Sequence, residues 1–240
     1  MNLILLHPGE LADSASVVLT DRRFTHIRDV HQVQPGDSLR VGMLGGAIGV
    51  ARVVQLNPHS VELALDFSAA RQPPAPLPVI LVLALPRPKM FKRILQTVAS
   101  LGVKEIWLIH SYRVDKSYWS SPLLTEAMIE AQLLLGLEQA GDTLMPRVEI
   151  RKRFKPFVED ELPGLLTGRQ GWVAHPYEAE PCPSASVEPK LVAVGPEGGF
   201  IAYEVGKLQE AGLRSLSLGS RILRVETAVP VLLSRLFPLS

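Results

Sequence analysis

The chain has 240 residues, and 25 Lys and Arg against 24 Asp and Glu leave a formal charge of +1. Near neutrality neither advertises nor excludes a nucleic-acid partner, so any affinity for a polyanion must come from local basic patches. Hydrophobic residues at 47% and aromatics at 6% describe a globular chain with an aliphatic core, long enough for one large domain or two smaller ones. The single cysteine, Cys182, excludes an internal disulfide, suits a reducing compartment and is assigned no role. The longest apolar run, PVILVLALP at 78–86, is far short of the roughly 20 residues that span a bilayer, and MNLILLHPGE has no basic segment of a signal peptide. The expectation is a soluble cytoplasmic protein with no membrane partner and no metal.

Residues 1–70 read as mostly β. NLILL at 2–6 is a short apolar run. DRRFTHIRDV at 21–30 suits one short helix, with Asp21 as N-cap and Phe24, Ile27 and Val30 on one face. After the Pro35-Gly36-Asp37 turn, LRVGML (39–44) and IGVARVVQL (48–56) form a hairpin about Gly45-Gly46. Asn57-Pro58 then turns into VELALDF (61–67). Short strands at this spacing predict a small β-barrel. RQPPAPLP at 71–78 carries four prolines, an extended linker and the expected domain boundary.

From residue 79 to 240 the pattern alternates. Candidate strands are 79–85, 105–110, 147–150, 171–175, 191–194 and 215–218; candidate helices are 90–102, 123–141 and 203–212. The first strand is apolar on both faces, as a helix-covered parallel strand must be. The helix at 90–102 places Phe91, Ile94, Leu95 and Val98 together, with Gly102 as its C-terminal cap. The class is α/β with a parallel sheet. Pro230 would clash with the Glu226 carbonyl inside a helix, so the last helix should begin no earlier than about Glu226, leaving 219–225 as loop. That helix's VPVLLSRLF (229–237) offers more apolar surface than one face buries, which suggests a homodimer through this domain.

Two loops carry the chemistry: Gly195-Pro196-Glu197-Gly198-Gly199-Phe200 after LVAV, and Leu218-Gly219-Ser220-Arg221-Ile222-Leu223-Arg224-Val225-Glu226-Thr227-Ala228 after LSL. Both follow strands, and ligands of open α/β sheets bind at strand carboxyl ends. GPEGGF followed by LGSRILRVETA resembles the signature of the 16S ribosomal RNA uridine-N3 methyltransferases of the SPOUT, or α/β-knot, class. The resemblance implies a C-terminal α/β trefoil-knot domain, which periodicity alone does not predict. It also implies an N-terminal PUA-like or OB-like barrel, matched by RFTHIRDV and QPGDSLRV. It implies S-adenosylmethionine as cofactor, homodimerisation, and ribosomal RNA or the small ribosomal subunit as partner. The implied target is N3 of a uridine near the decoding site, position 1498 in the family's RNA numbering.

Three strand ends would then hold the cofactor through His175, Pro176, Gly195, Pro196, Gly198, Gly199, Leu218, Gly219, Ile222, Leu223 and Thr227. Methylating N3 requires removing a weakly acidic N–H and stabilising the anion, for which Glu197, Arg224 and Glu226 are the candidates. Alternatively, Arg224 and Glu226 pair to brace the loop, Glu197 accepts backbone N–H bonds, and His175 only caps a strand. Arg221 is read as facing solvent or RNA. RNA would meet Lys89, Arg93, Arg113 and Lys116 of the second domain and Arg22 and Arg23 of the first. The basic run Arg151, Lys152, Arg153, Lys155 reads as a solvated face.

The chain departs from the family's pattern at Gln32, Thr97, Ser100 and Asp142, where charged residues are usual. These losses keep open a degenerate RNA-binding module, or a SPOUT enzyme with another RNA target. A nucleotide-binding use of GPEGG is disfavoured, because no P-loop Lys-Ser/Thr follows it.

Overall fold

The computed structural model describes residues 2–11 and 15–238. Contacts divide the chain into two units, Met1–Ala75 with Leu134–Met145, and Pro76–Leu133 with Pro146–Ser240. The linear reading put 134–145 wholly in the second domain.

The first unit is built on β1 (Ile4–Leu6), β2 (Ser16–Leu19), β3 (Ser38–Met43), β4 (Ile48–Leu56) and β5 (Val61–Arg71), paired in the order β1-β3-β4-β5-β2. β1 runs parallel to β3 and the other pairs are antiparallel. Alternate residues of β4 and β5 point inward, so Ala51, Val53, Val61 and Leu63 join Ile4, Leu6, Val41, Phe24 and Ile27 in one core. β2 is a strand the sequence reading left unassigned.

Asp21 caps α1 (Arg22–His26) by accepting from the Arg23 N–H at 2.8 Å. The helix continues as a π-helical turn over Ile27–His31. This wider turn carries Val30 off the apolar face, and Val30 is 65% exposed rather than packed beside Phe24 and Ile27. Residues 134–145 are held to this unit by backbone and side-chain bonds: Asn2 N–H to Glu138 O at 2.9 Å, Gly45 N–H to Thr143 O at 2.8 Å, and Thr143 Oγ1 to Gly46 O at 2.6 Å.

The second unit holds β6 (Val79–Ala84), β7 (Glu105–Ile109), β8 (Arg147–Arg151), β9 (Gln170–Ala174), β10 (Glu180–Pro181), β11 (Lys190–Val194) and β12 (Arg214–Ser217). They form one parallel sheet in the order β10-β12-β9-β11-β6-β7-β8. β6 and β11 are buried at every position, as the apolar runs 79–84 and 191–194 require, and the buried Lys190 at the start of β11 donates to Ser186 and to the Glu188 carbonyl. The helices are α2 (Pro88–Ser100), α3 (Glu126–Ala140), α4 (Phe154–Pro156), α5 (Leu162–Leu166), α6 (Ala202–Glu210) and α7 (Val225–Leu236). The boundary between the units falls within α3. α4 and α5, joined by a π turn at Phe157–Glu161, were hidden by Pro156, Pro163 and Gly164, which read as breakers. α2 starts at Pro88, where the missing N–H is harmless.

α7 begins at Val225, with the Arg224 carbonyl accepting from the Thr227 and Ala228 N–H groups at 2.9 and 2.7 Å. The helix thus starts one residue earlier than expected, Pro230 lies inside it rather than in its first turn, and the Glu226 carbonyl loses its usual donor. Val225, Val229, Leu232, Leu233, Leu236 and Phe237 are all buried. The surplus apolar surface on which the dimer argument rested is thus taken up within the chain. Among the described residues no helix is long and apolar enough to cross a membrane, and no cluster of His, Cys, Asp or Glu could hold a metal.

Candidate active site

β12, β9 and β11 are neighbours, and the loops leaving their carboxyl ends surround one cleft of about 310 Å³. From β9 the chain runs out to β10 at the sheet edge, returns to β11 on the other side of β9, then crosses back to β12 between β10 and β9. Connections diverging in this way open a crevice where ligands of α/β sheets bind. The volume lies at the lower end of small-molecule sites.

The β11 loop doubles back on itself. Gly199 N–H donates to Pro196 O at 2.7 Å, and Gly199 sits at φ 72°, a left-handed conformation that favours glycine. A Cβ on Gly195 would lie 2.8 Å from Phe200 N and 3.1 Å from Gly199 Cα, both backbone atoms. Gly195 is therefore required by the close approach of the loop to its own start. A Cβ on Gly198 would instead meet the Arg113 side chain, with Cδ at 2.9 Å.

The loop is tied at three places. Arg87 N–H donates to Glu197 Oε1 at 2.9 Å. Arg113 Nη1 donates to the Gly198 carbonyl. The carboxylate of Glu204, only 3% exposed, accepts from Ile201 N–H at 3.0 Å and from Tyr112 N–H at 2.7 Å. Glu197 thus braces the loop as one of the two expected alternatives held. Neither Glu204 nor Tyr112 was singled out from sequence; the helix-start position of Glu204, three residues after Ile201, was the available signal.

The β12 loop supplies the other wall. Leu218, Gly219, Arg221, Ile222 and Leu223 line the cleft, with Val225, Ala228 and Leu232 of α7 behind them. Among the described residues, no backbone N–H from Ser220 to Arg224 donates to a protein acceptor. Apolar side chains beside uncommitted donors suit a nucleoside ring, so the fit to S-adenosylmethionine rests on this wall. His175, Pro176 and Tyr177 complete the lining after β9. Burial holds the His175 imidazole below its usual range, against the opposing pull of Glu178. A neutral ring is compatible with a cationic ligand beside it.

Of the expected cofactor residues, His175, Pro176, Gly195, Pro196, Gly198, Gly199, Leu218, Gly219, Ile222 and Leu223 meet at this cleft, and Thr227 does not. Glu197 also lines it, whereas Arg224 and Glu226 do not. The reason is helical phase. Positions 225, 228 and 232 share the inward face, so 224, 226 and 227 fall off it. Arg224 is exposed and makes no ion pair with Glu226 among the described residues. Arg221, read as facing solvent or RNA, lines the cleft.

The cations expected to meet RNA divide. Lys89, Arg93, Arg113 and Lys116 are exposed, and Arg113 also lines the cleft. Arg22 is half-exposed and forms a bidentate pair at 2.7 and 2.8 Å with buried Glu138. Arg23 is buried, and every guanidinium nitrogen donates to Asp21, Glu10 or Leu5 O. Burial opposes its charge, yet the Glu10 and Asp21 carboxylates raise its pKa overall. Arg23 holds the first unit together and has no donor left for a phosphate. Within the basic run, Arg151 pairs with Glu149 and Glu161 and lies over the Trp107 ring at 4.7 Å.

A seven-stranded parallel sheet, with the loops of β9, β11 and β12 gathered at one cleft, is the α/β architecture expected of a SPOUT-type domain. The sequence profile of the RNA methyltransferase domain family matches residues 73–237, and the chain belongs to that family. The chain is 30% identical over 245 residues to the ribosomal RNA small subunit methyltransferase E of Synechocystis, covering 97% of this chain and 76% of the relative. It is 29% identical to the enzyme of that name from Treponema pallidum, over 95% of this chain and 87% of the relative. Among solved structures, the Neisseria gonorrhoeae ribosomal RNA small subunit methyltransferase E bound to S-adenosyl methionine superposes with a TM-score of 0.74. It is 23% identical, and the match covers 98% of this chain and 95% of that one. A putative methyltransferase from Legionella pneumophila, in complex with the same cofactor, gives 0.75 at 22% identity, covering 98% and 96%.

Proposed function

We propose that this RNA methyltransferase uses S-adenosylmethionine to methylate N3 of a uridine near the decoding site of 16S ribosomal RNA, position 1498 in the family's numbering. The observation that carries the reading is the single cleft formed by the GPEGG loop, the His175-Pro176 turn and the β12 loop. The relatives of similar length named as small-subunit enzymes support the RNA class. When bound, the cofactor supplies a methyl group on a sulfonium sulfur, an electrophile for a ring nitrogen.

The chain's own residues do the rest. Loop N–H groups at 220–224 and the Leu218, Ile222 and Leu223 side chains hold and orient the nucleoside part. Gly195 lets the β11 loop close on its own start, and Gly199 supplies the left-handed turn that holds the loop in that shape. Arg224, exposed one residue beyond Leu223 but outside the cleft lining, is assigned to meet the target base once RNA is bound and to stabilise negative charge on the carbonyls flanking N3. Glu197, the candidate carboxylate that lines the cleft, is the proposed proton acceptor through the oxygen that the Arg87 N–H leaves unengaged, and Glu226, off the inward face of α7, is not assigned the role. The enzyme acts in the cytoplasm as a homodimer, an assembly proposed from the family resemblance without support from α7.

Two of the four departures that keep the degenerate-module alternative open, Asp142 and Ser100, have internal partners. Asp142 is 3% exposed, and its Oδ1 accepts from Leu144 N–H at 2.9 Å, so it is an internal support rather than a reversed surface charge. Ser100 Oγ donates to Thr97 O within α2. Neither change touches the cleft.

The test is methyl transfer from labelled S-adenosylmethionine to small ribosomal subunits, and separately to bare 16S RNA, from cells lacking the modification. Mass spectrometry of the digested RNA should place the label on one N3-methyluridine. Label on another nucleoside, or cofactor binding without transfer to either substrate, would overturn the assignment.

A further inference from the structure

The turn after β7 displays an aromatic ring that nothing in the fold uses. Ser111 and Val114 are buried, at 0% and 4% exposure, and Val114 N–H donates to Ser111 O at 3.0 Å. Between these anchors Tyr112 is 77% exposed. Its backbone is fixed by the 2.7 Å bond from its N–H to the buried Glu204 carboxylate. Its hydroxyl has no hydrogen-bond partner among the described residues, and its ring packs on no other ring. The next residue, Arg113, donates to Gly198 O and lines the cleft. A rigid turn thus places a bare ring one residue from the candidate active site.

The surroundings say what would cover it. β6 ends beside β7, with Leu85 N–H donating to Ile109 O at 3.0 Å. The segments leaving these two strands carry exposed Arg87, Lys89, Arg113 and Lys116. Tyr203, 53% exposed, stands next to Glu204, on the far side of the same hydrogen bond. Exposed aromatic rings among phosphate-attracting cations are the combination that binds unpaired nucleotides. Every base has a π-face, and single-stranded bases are free to stack.

We infer that Tyr112 is a stacking platform for an unpaired RNA base adjacent to the one entering the cleft, held in place by Glu204. The inference rests on the RNA methyltransferase reading. It adds that the enzyme selects a single-stranded or opened segment rather than a duplex.

The experiment is a fluorescence-anisotropy titration of the full chain with a labelled single-stranded RNA oligonucleotide and with its duplex. Wild type, Tyr112→Ala and Tyr112→Phe are compared. Tyr112→Ala should weaken single-strand binding by roughly five- to a hundredfold, the range for removing one aromatic stacking surface. Tyr112→Phe should stay within about twofold, duplex binding should change little, and S-adenosylmethionine affinity should be unaltered. Tyr112→Ala within twofold of wild type on the single strand overturns the inference. So does an equal loss in Tyr112→Phe, an equal loss on the duplex, or a wild type that binds the single strand no better than the duplex. These are binding readouts, so a failure of the methylation assignment shows itself separately, as absent transfer by wild type.

Discussion

Replacing Gly195 by alanine adds one methyl group where the β11 loop folds back onto its own start. The new Cβ would sit 2.8 Å from Phe200 N and 3.1 Å from both Gly199 C and Gly199 Cα. Ordinary contact lies nearer 3.5 Å, so backbone must move by about half an ångström. Phe200 cannot easily yield, because its own side chain is 3% exposed and packed. Overpacking of this kind costs about 1–3 kcal/mol. If cofactor binding restores the native loop shape, the same cost appears in affinity, about five- to 150-fold. The assay is calorimetric titration with S-adenosylmethionine, alongside urea denaturation. Gly164→Ala serves as the control, since a Cβ there meets nothing within 4 Å in a helical segment, and alanine should be neutral or slightly stabilising. Cofactor affinity of Gly195→Ala within twofold of wild type, with an unchanged urea midpoint, would refute the claim that this close approach shapes the site.

Glu204→Ala removes the acceptor for two backbone N–H groups, Tyr112 and Ile201, and should destabilise by about 2–5 kcal/mol. A urea midpoint shift worth under 1 kcal/mol would mean that water replaces the carboxylate. For His175 the folded pKa is depressed by burial below the usual 6.5. The folded state therefore binds fewer protons than the unfolded one, and stability falls as the pH drops below about 6.5. His175→Asn should flatten that fall between pH 7.5 and 5.5 relative to wild type, although His26, also held low by burial, continues to contribute. Pro230→Ala restores a donor for the Glu226 carbonyl within α7 and should raise the urea midpoint, by about 1–3 kcal/mol; a fall would show that the proline is built into the packing. Arg224→Ala should retain cofactor affinity and lower turnover by at least about tenfold, whereas turnover within twofold of wild type would remove Arg224 from the chemistry.

Local pattern alone located most strands, the amphipathic α2 with its Phe91, Ile94, Leu95 and Val98 face, and the Asp21 cap. It also located the two glycine-bearing loops, because strand ends, turns and helix faces are written in residues a few positions apart. What it left open depends on contacts between distant residues. Arg113 and Gly198, separated by 85 positions, meet across the sheet's carboxyl edge only because β7 and β11 flank β6. Arg22 and Glu138, separated by 116, draw residues 134–145 into the first unit. A charge such as Arg23 or Asp142 looks the same in sequence whether solvated or buried. Burial and partners decide, and both were supplied by segments far along the chain. The roles of Arg224 and Glu226 turned on helical phase. One residue in the start of α7 determines which side chains face the cleft, and a proline signal cannot fix a helix start to better than a residue or two.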